Sequence, residues 1–229
     1  MRHVLPIPRD TSIRLLGVFQ ALDTFSELLA FFAAGLVAYD RTHSTLVVSV
    51  VMGAVALAEA AGAVAGGAFA DRFDRKRVAV MAAVSAGCLL LVLALGTDLI
   101  ALTVVLVAMT LAAAPIRPAV FAALPNLLEE DGLDTASSYL QTLRQASFTL
   151  APVVAGAGAA LVGASGLFLA AAALFGVAAL VMLCVRGRFQ DETSAAPGGS
   201  AVEAFSPLAG VGLIRRENNN RHPARMSAG

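Results

Sequence analysis

The chain has 229 residues, of which 58% are hydrophobic and only 14% charged, and its mean hydropathy is +0.79. A soluble globular domain is nearer half apolar and a quarter charged, so this composition points to lipid. The formal net charge is zero, which leaves no global field to call for nucleic acid.

A helix needs about 20 apolar residues to cross the hydrocarbon core. Six runs of that kind occur, at 15–38, 45–70, 78–96, 99–124, 138–162 and 166–185. Short breaks at 96–98 and 163–165 mark hairpins between adjacent spans. The runs are long and do not alternate, which excludes a β-barrel. Lipid leaves the backbone few options other than helix. The expected fold class is therefore an all-α membrane protein with six transmembrane helices.

Orientation follows from the basic residues in the loops. Arg2, Arg9 and Arg14 precede the first span. Arg72, Arg75, Lys76 and Arg77 lie between the second and third. Arg186, Arg188, Arg215, Arg216, Arg221 and Arg225 follow the sixth. The first, third and fifth loops together hold only Arg41. Both termini are thus expected in the cytoplasm. The fourth loop carries Glu129, Glu130, Asp131 and Asp134, and acids count little in this rule. The chain divides into a cytoplasmic N-terminus (1–14), a six-helix membrane domain (15–185), and a cytoplasmic linker and tail (186–229). Within that tail, 201–214 is apolar but too short to span, and 215–229 has the composition of disorder.

Ionisable side chains within a span cost about 2.5–3.5 kcal/mol each on insertion scales, so they face a cavity or a partner. The first span holds Gln20, Asp23 and Glu27. Offsets of three and four residues put them on one helix face. At 1.5 Å per residue, Asp23 lies roughly 12 Å and Glu27 roughly 18 Å from the cytoplasmic end. Glu59 of the second span lies about 15 Å from its own cytoplasmic end, close to the depth of Asp23. Such acids can take up and release protons or face a cationic substrate. They can equally be polar groups buried in helix contacts, with Glu59 an interhelical clasp. Arg117 and Arg144 lie near the cytoplasmic ends of the fourth and fifth spans. Both can snorkel to the interface, and Arg144 can instead pair with an acid of the first or second span.

No spacing suits a metal or a phosphate-binding loop, and no cofactor is implied. His3, His43 and His222 are scattered. Cys88 and Cys184 read as small apolar packing residues. The chain is expected not to be an enzyme.

The charged turn after the second span is the sharpest local feature. Gly67, Asp71, Arg72, Arg75 and Lys76 match the pattern G-x-x-x-D-R-x-G-R-[RK], with Asp74 where the glycine would stand. This resembles the signature of the major facilitator superfamily, in the D-R-F-D-R form of its drug- and siderophore-exporter-like branch. The stretch from Pro115, Arg117 and Pro118 to Pro125 and Asn126 is similar to the end of the fourth span in that branch. Arg117 departs from the family's fourth-span arginine motif, so that role is not carried over. In the fifth span Pro152 and Gly156 keep part of the family's G-P-x-x-G-G antiporter motif, with Ala151 and Ala155 replacing glycines.

The resemblance implies one half of a facilitator fold, a 3+3 inverted repeat, in a bacterial inner membrane. It implies proton-coupled efflux of a small molecule by alternating access. The implied partners are the lipid bilayer, a small-molecule substrate, and a second six-helix half or a homodimer partner. The simplest account of a single half is a truncated gene product; the other is a half-transporter that homodimerises. The rival reading is a six-helix membrane scaffold that transports nothing.

Overall fold

The computed structural model describes residues 11–72, 74–96, 98–127 and 133–185. Six α-helices account for nearly all of them, and there is no strand among the described residues. They are α1 (Thr11–Thr42), α2 (Thr45–Arg72), α3 (Arg75–Ala94), α4 (Leu99–Ala113), α5 (Ile116–Leu127) and α6 (Leu133–Cys184). Five helical stretches are long and apolar enough to cross a membrane, with α4 and α5 acting together as one stretch, Leu99–Leu124. The N-terminal residues 1–10, the acids Glu129, Glu130 and Asp131, and the tail from 186 onward lie outside the described residues.

Local chemistry explains the boundaries. Asp74 caps α3, its carboxylate accepting the Arg77 N–H at 2.9 Å. Asp98 does the same for α4, accepting from Ala101 N–H at 2.7 Å. Each satisfies an amide that the helix start leaves orphaned. Between α3 and α4, Gly96 takes φ +84, a conformation that only glycine adopts without strain.

Two features differ from a plain count of apolar runs. The fourth run is broken in the middle, because Pro115 and Pro118 lack N–H groups. The carbonyls of Leu111 and Ala114, four residues earlier, therefore lose their usual helical donors. The chain restarts as α5, with Ala119 N–H donating to Pro115 O at 3.1 Å. The other feature is α6. Its 52 residues would reach about 78 Å if straight. Gly163, at φ 69 and ψ −179, interrupts it. Gly158 and Leu167 then lie side by side: a Cβ at Gly158 would stand 2.8 Å from Leu167 Cδ2. Nine residues of straight helix would separate them by about 13 Å, so the chain turns sharply at Gly163.

The core lies along α6, on which α1 and α3 each pack more extensively than any other pair of helices. Leu16, Phe19, Leu90, Leu140, Phe168 and Phe175 are fully enclosed there. A polar tie joins α1 and α6, Ser147 Oγ donating to Ala21 O at 3.0 Å. The helix α2 is the least buried of the long helices. It approaches the α4–α5 break at Gly66, where a Cβ would stand 2.9 Å from Ala114 O and 3.1 Å from Pro115 N. Cys88 and Cys184 are free and exposed, not packed as their apolar settings suggested. Their runs are apolar all round, so hydropathy alone could not say which face points outward.

Candidate functional site

The helical register of α1 places Gln20, Asp23 and Glu27 along one stripe, and the structure turns that stripe inward. Gln20 is buried, Asp23 is 5% exposed and Glu27 is half-buried. Asp23 and Glu27 open into a cavity of about 320 Å³. From α2 come Glu59 and Ala63; from α4, Thr110, Ala113 and Ala114; from α5, Arg117, Pro118 and Phe121. The three acids singled out from sequence thus share one chamber.

Arg117 is the residue that sequence reasoning placed elsewhere. Its place near the end of the fourth run lets it snorkel to the interface. Instead its Nη2 donates to Glu59 Oε1 at 3.4 Å across the cavity. The α4–α5 break accounts for this. Arg117 sits in the first turn of α5, and its direction depends on how the chain restarts after Pro115. A signal was present: an arginine eight residues inside a 26-residue apolar stretch, between two prolines.

Arg117 and Glu59 are 43% and 60% exposed, so their pair is open to solvent on one side. Asp23 is more enclosed, and its Oδ1 has no hydrogen-bond partner among the described residues. The same holds for Gln20 Oε1, while Gln20 Nε2 donates to Thr24 Oγ1 at 3.3 Å. Unpartnered buried polar atoms are costly and uncommon.

Arg144 of α6 is not among the residues that line the cavity. Its guanidinium stacks 5.1 Å from the Phe148 ring centroid, and its Nε finds no hydrogen-bond partner among the described residues. The ion pair within the acid cluster is formed by Arg117, not by Arg144.

The charged turn after α2 is a second place of interest. Gly67, Asp71 and Arg72 end α2, and only their helical backbone is described. Arg75 and Lys76 start α3 and tie other helices to it. Arg75 Nη1 donates to Ala122 O of α5 at 2.6 Å. Lys76 Nζ donates to Leu183 O and Val185 O, at 2.9 and 2.8 Å. At the end of α6 the Lys76 cation satisfies carbonyls that have no intrahelical donor and complements the helix dipole. Pro152 and Gly156 both face outward from α6, and a Cβ at Gly156 would meet nothing within 4 Å.

Comparison with known proteins adds the family. The sequence model described as Major Facilitator Superfamily matches residues 15–219. No curated protein matches the sequence closely enough to count as a relative. Among solved structures, the chain is similar to a mutant of the peptide transporter POT crystallised with sulfate. The TM-score is 0.74 at 16% identity, over 95% of this chain and 46% of that one. It is also similar to that mutant in complex with alafosfalin, with a TM-score of 0.65 at 17% identity, over 89% of this chain and 46% of that one. The chain spans a little under half the length of these structures.

Proposed function

Because the chain belongs to the major facilitator superfamily, we propose that this multi-pass membrane protein is one half of a secondary transporter that exports a small molecule in exchange for protons. The observation that carries the reading is the chamber in which Asp23, Glu27 and Glu59 face Arg117. A scaffold has no use for three acids within the apolar part of a bundle, each costly to insert. In a transporter they have one. Protons and a cationic or polar substrate compete for the same carboxylates, and Arg117 holds Glu59 when neither is bound. Glu59 and Arg117 remain partly exposed, which suits a chamber whose remaining wall comes from a second six-helix half or a second copy of this chain.

The membrane arrangement in this reading has six spans and both termini in the cytoplasm. The limbs of α6 on either side of Gly163, 133–162 and 164–184, reach about 45 and 31 Å at 1.5 Å per residue. Each is long enough to cross a core about 30 Å thick. The basic turn from Arg72 to Arg77 then lies on the cytoplasmic face, as expected for a bacterial inner membrane.

The test uses proteoliposomes carrying the full chain and a trapped pH-sensitive dye, challenged with a panel of cationic, zwitterionic and neutral amphiphiles. A substrate that drives proton movement supports exchange. Substitution of all three acids by their amides (D23N, E27Q, E59Q) is expected to abolish that movement. Unchanged proton movement in the triple variant would refute the role of the chamber.

A further inference from the structure

A second cavity, of about 730 Å³, lies outside the acid chamber, between α2, α3 and α4. Its walls are largely apolar and small: Gly62, Gly66, Val78, Ala82, Ala112 and Pro115 among others. Met81 and Leu111 also line it and are 71% and 44% exposed, so it opens sideways, toward lipid in a membrane setting. One end carries charge. Asp74 and Arg77 line the mouth, and Ser85 lines the far part of the groove. From Arg77 to Ser85 is two turns of α3, about 12 Å. That is close to the half-thickness of a hydrocarbon core about 30 Å across.

The charge at the mouth has a sign. Between residues 74 and 77 stand three basic side chains and one acidic one. The positive end of the α3 dipole adds to them. Arg75 and Lys76 are engaged with helix carbonyls, and the Asp74 carboxylate accepts the Arg77 amide. The Arg77 side chain is exposed at the opening. An apolar slot one leaflet deep, ending in a net positive mouth, matches an acyl chain joined to a negatively charged headgroup.

We propose that this groove is a binding site for an anionic phospholipid, one acyl chain lying against Val78, Ala82 and Ala112 and the phosphate on Arg77. The lipid would pack α2 against α3 beside the charged turn. The inference rests on the membrane placement of the bundle and not on transport, so a chain inactive in every transport assay would still be tested by it.

The experiment is native mass spectrometry of the full chain in detergent, titrated with phosphatidylglycerol, phosphatidylethanolamine and phosphatidylcholine of identical acyl chains. Phosphatidylglycerol is expected to bind about fivefold more tightly than the other two, the preference that one basic side chain confers at an anionic surface. R77Q is expected to erase the preference while leaving residual binding. S85F and A112F fill the groove from α3 and from α4 and are expected to weaken binding of all three lipids. Two such variants guard against one failing to fold, and unchanged elution on size exclusion reports folding. Equal binding of the three lipids to the unaltered chain overturns the proposal. So does a preference that survives R77Q, binding untouched by both groove-filling variants, or displacement of phosphatidylglycerol by inorganic phosphate at matched concentration.

Discussion

The approach of α2 to the α4–α5 break can be tested with one substitution made at two places. At Gly66 an added Cβ would stand 2.9 Å from Ala114 O, 3.0 Å from Ala114 C and 3.1 Å from Pro115 N. All three are backbone atoms, so no side chain can rotate away. At Gly156 the same Cβ meets nothing within 4 Å. Both glycines lie inside helices, α2 and α6. Each replacement by alanine therefore gains a similar helix-propensity term, about 0.5–1 kcal/mol. That term cancels when the two variants are compared. What remains is the overpacking at Gly66, typically about 1–3 kcal/mol. G156A is expected to match or exceed the native stability, and G66A to fall about 1–3 kcal/mol below G156A. Reversible unfolding in mixed detergent micelles, followed by helical circular dichroism, measures the difference. A difference below about 0.5 kcal/mol would refute the close approach, because real overpacking against backbone is not that small. The site shares in the outcome. Glu59 lies seven residues before Gly66 on the same helix, and α2 can make room only by moving away from α5. G66A is therefore expected also to lengthen the Glu59–Arg117 contact and to impair proton-coupled transport more than G156A.

Other expectations concern the turns and the chamber. G163A is expected to destabilise the chain by about 1–3 kcal/mol in the same unfolding assay, because Gly163 sits in a region of φ and ψ open almost only to glycine. K76M removes two hydrogen bonds to the end of α6. Partial exposure discounts the value of a charged donor, so a loss of about 1–2 kcal/mol is expected, with faster amide exchange confined to the last turn of α6. The Glu59–Arg117 pair is 3.4 Å long and partly exposed. A double-mutant cycle with E59Q and R117Q should give a coupling of under about 1 kcal/mol in stability, while each single variant impairs transport. A larger stability coupling would recast the pair as a structural clasp.

Hydropathy and spacing alone located the apolar stretches to within a few residues, the breaks at Gly96 and Gly163, and the shared stripe of Gln20, Asp23 and Glu27 on α1. These are local properties, set by residues a turn or less apart, and lipid leaves the backbone no choice but helix. They could not say that Glu59 would meet the α1 acids in one chamber, since depth along a helix does not fix its rotation. Arg117 shows the limit most clearly. Its role depends on Pro115 and Pro118 interrupting the fourth stretch, and on Gly66 letting α2 come close enough for Glu59 to reach across. Lys76 and Arg75 likewise read as charge in a cytoplasmic loop until the end of α6 and the Ala122 carbonyl of α5 arrive beside them. What tertiary structure decided, in each case, is which polar groups share a space. In a chain so uniformly apolar, few residues carry that information, and packing directs them.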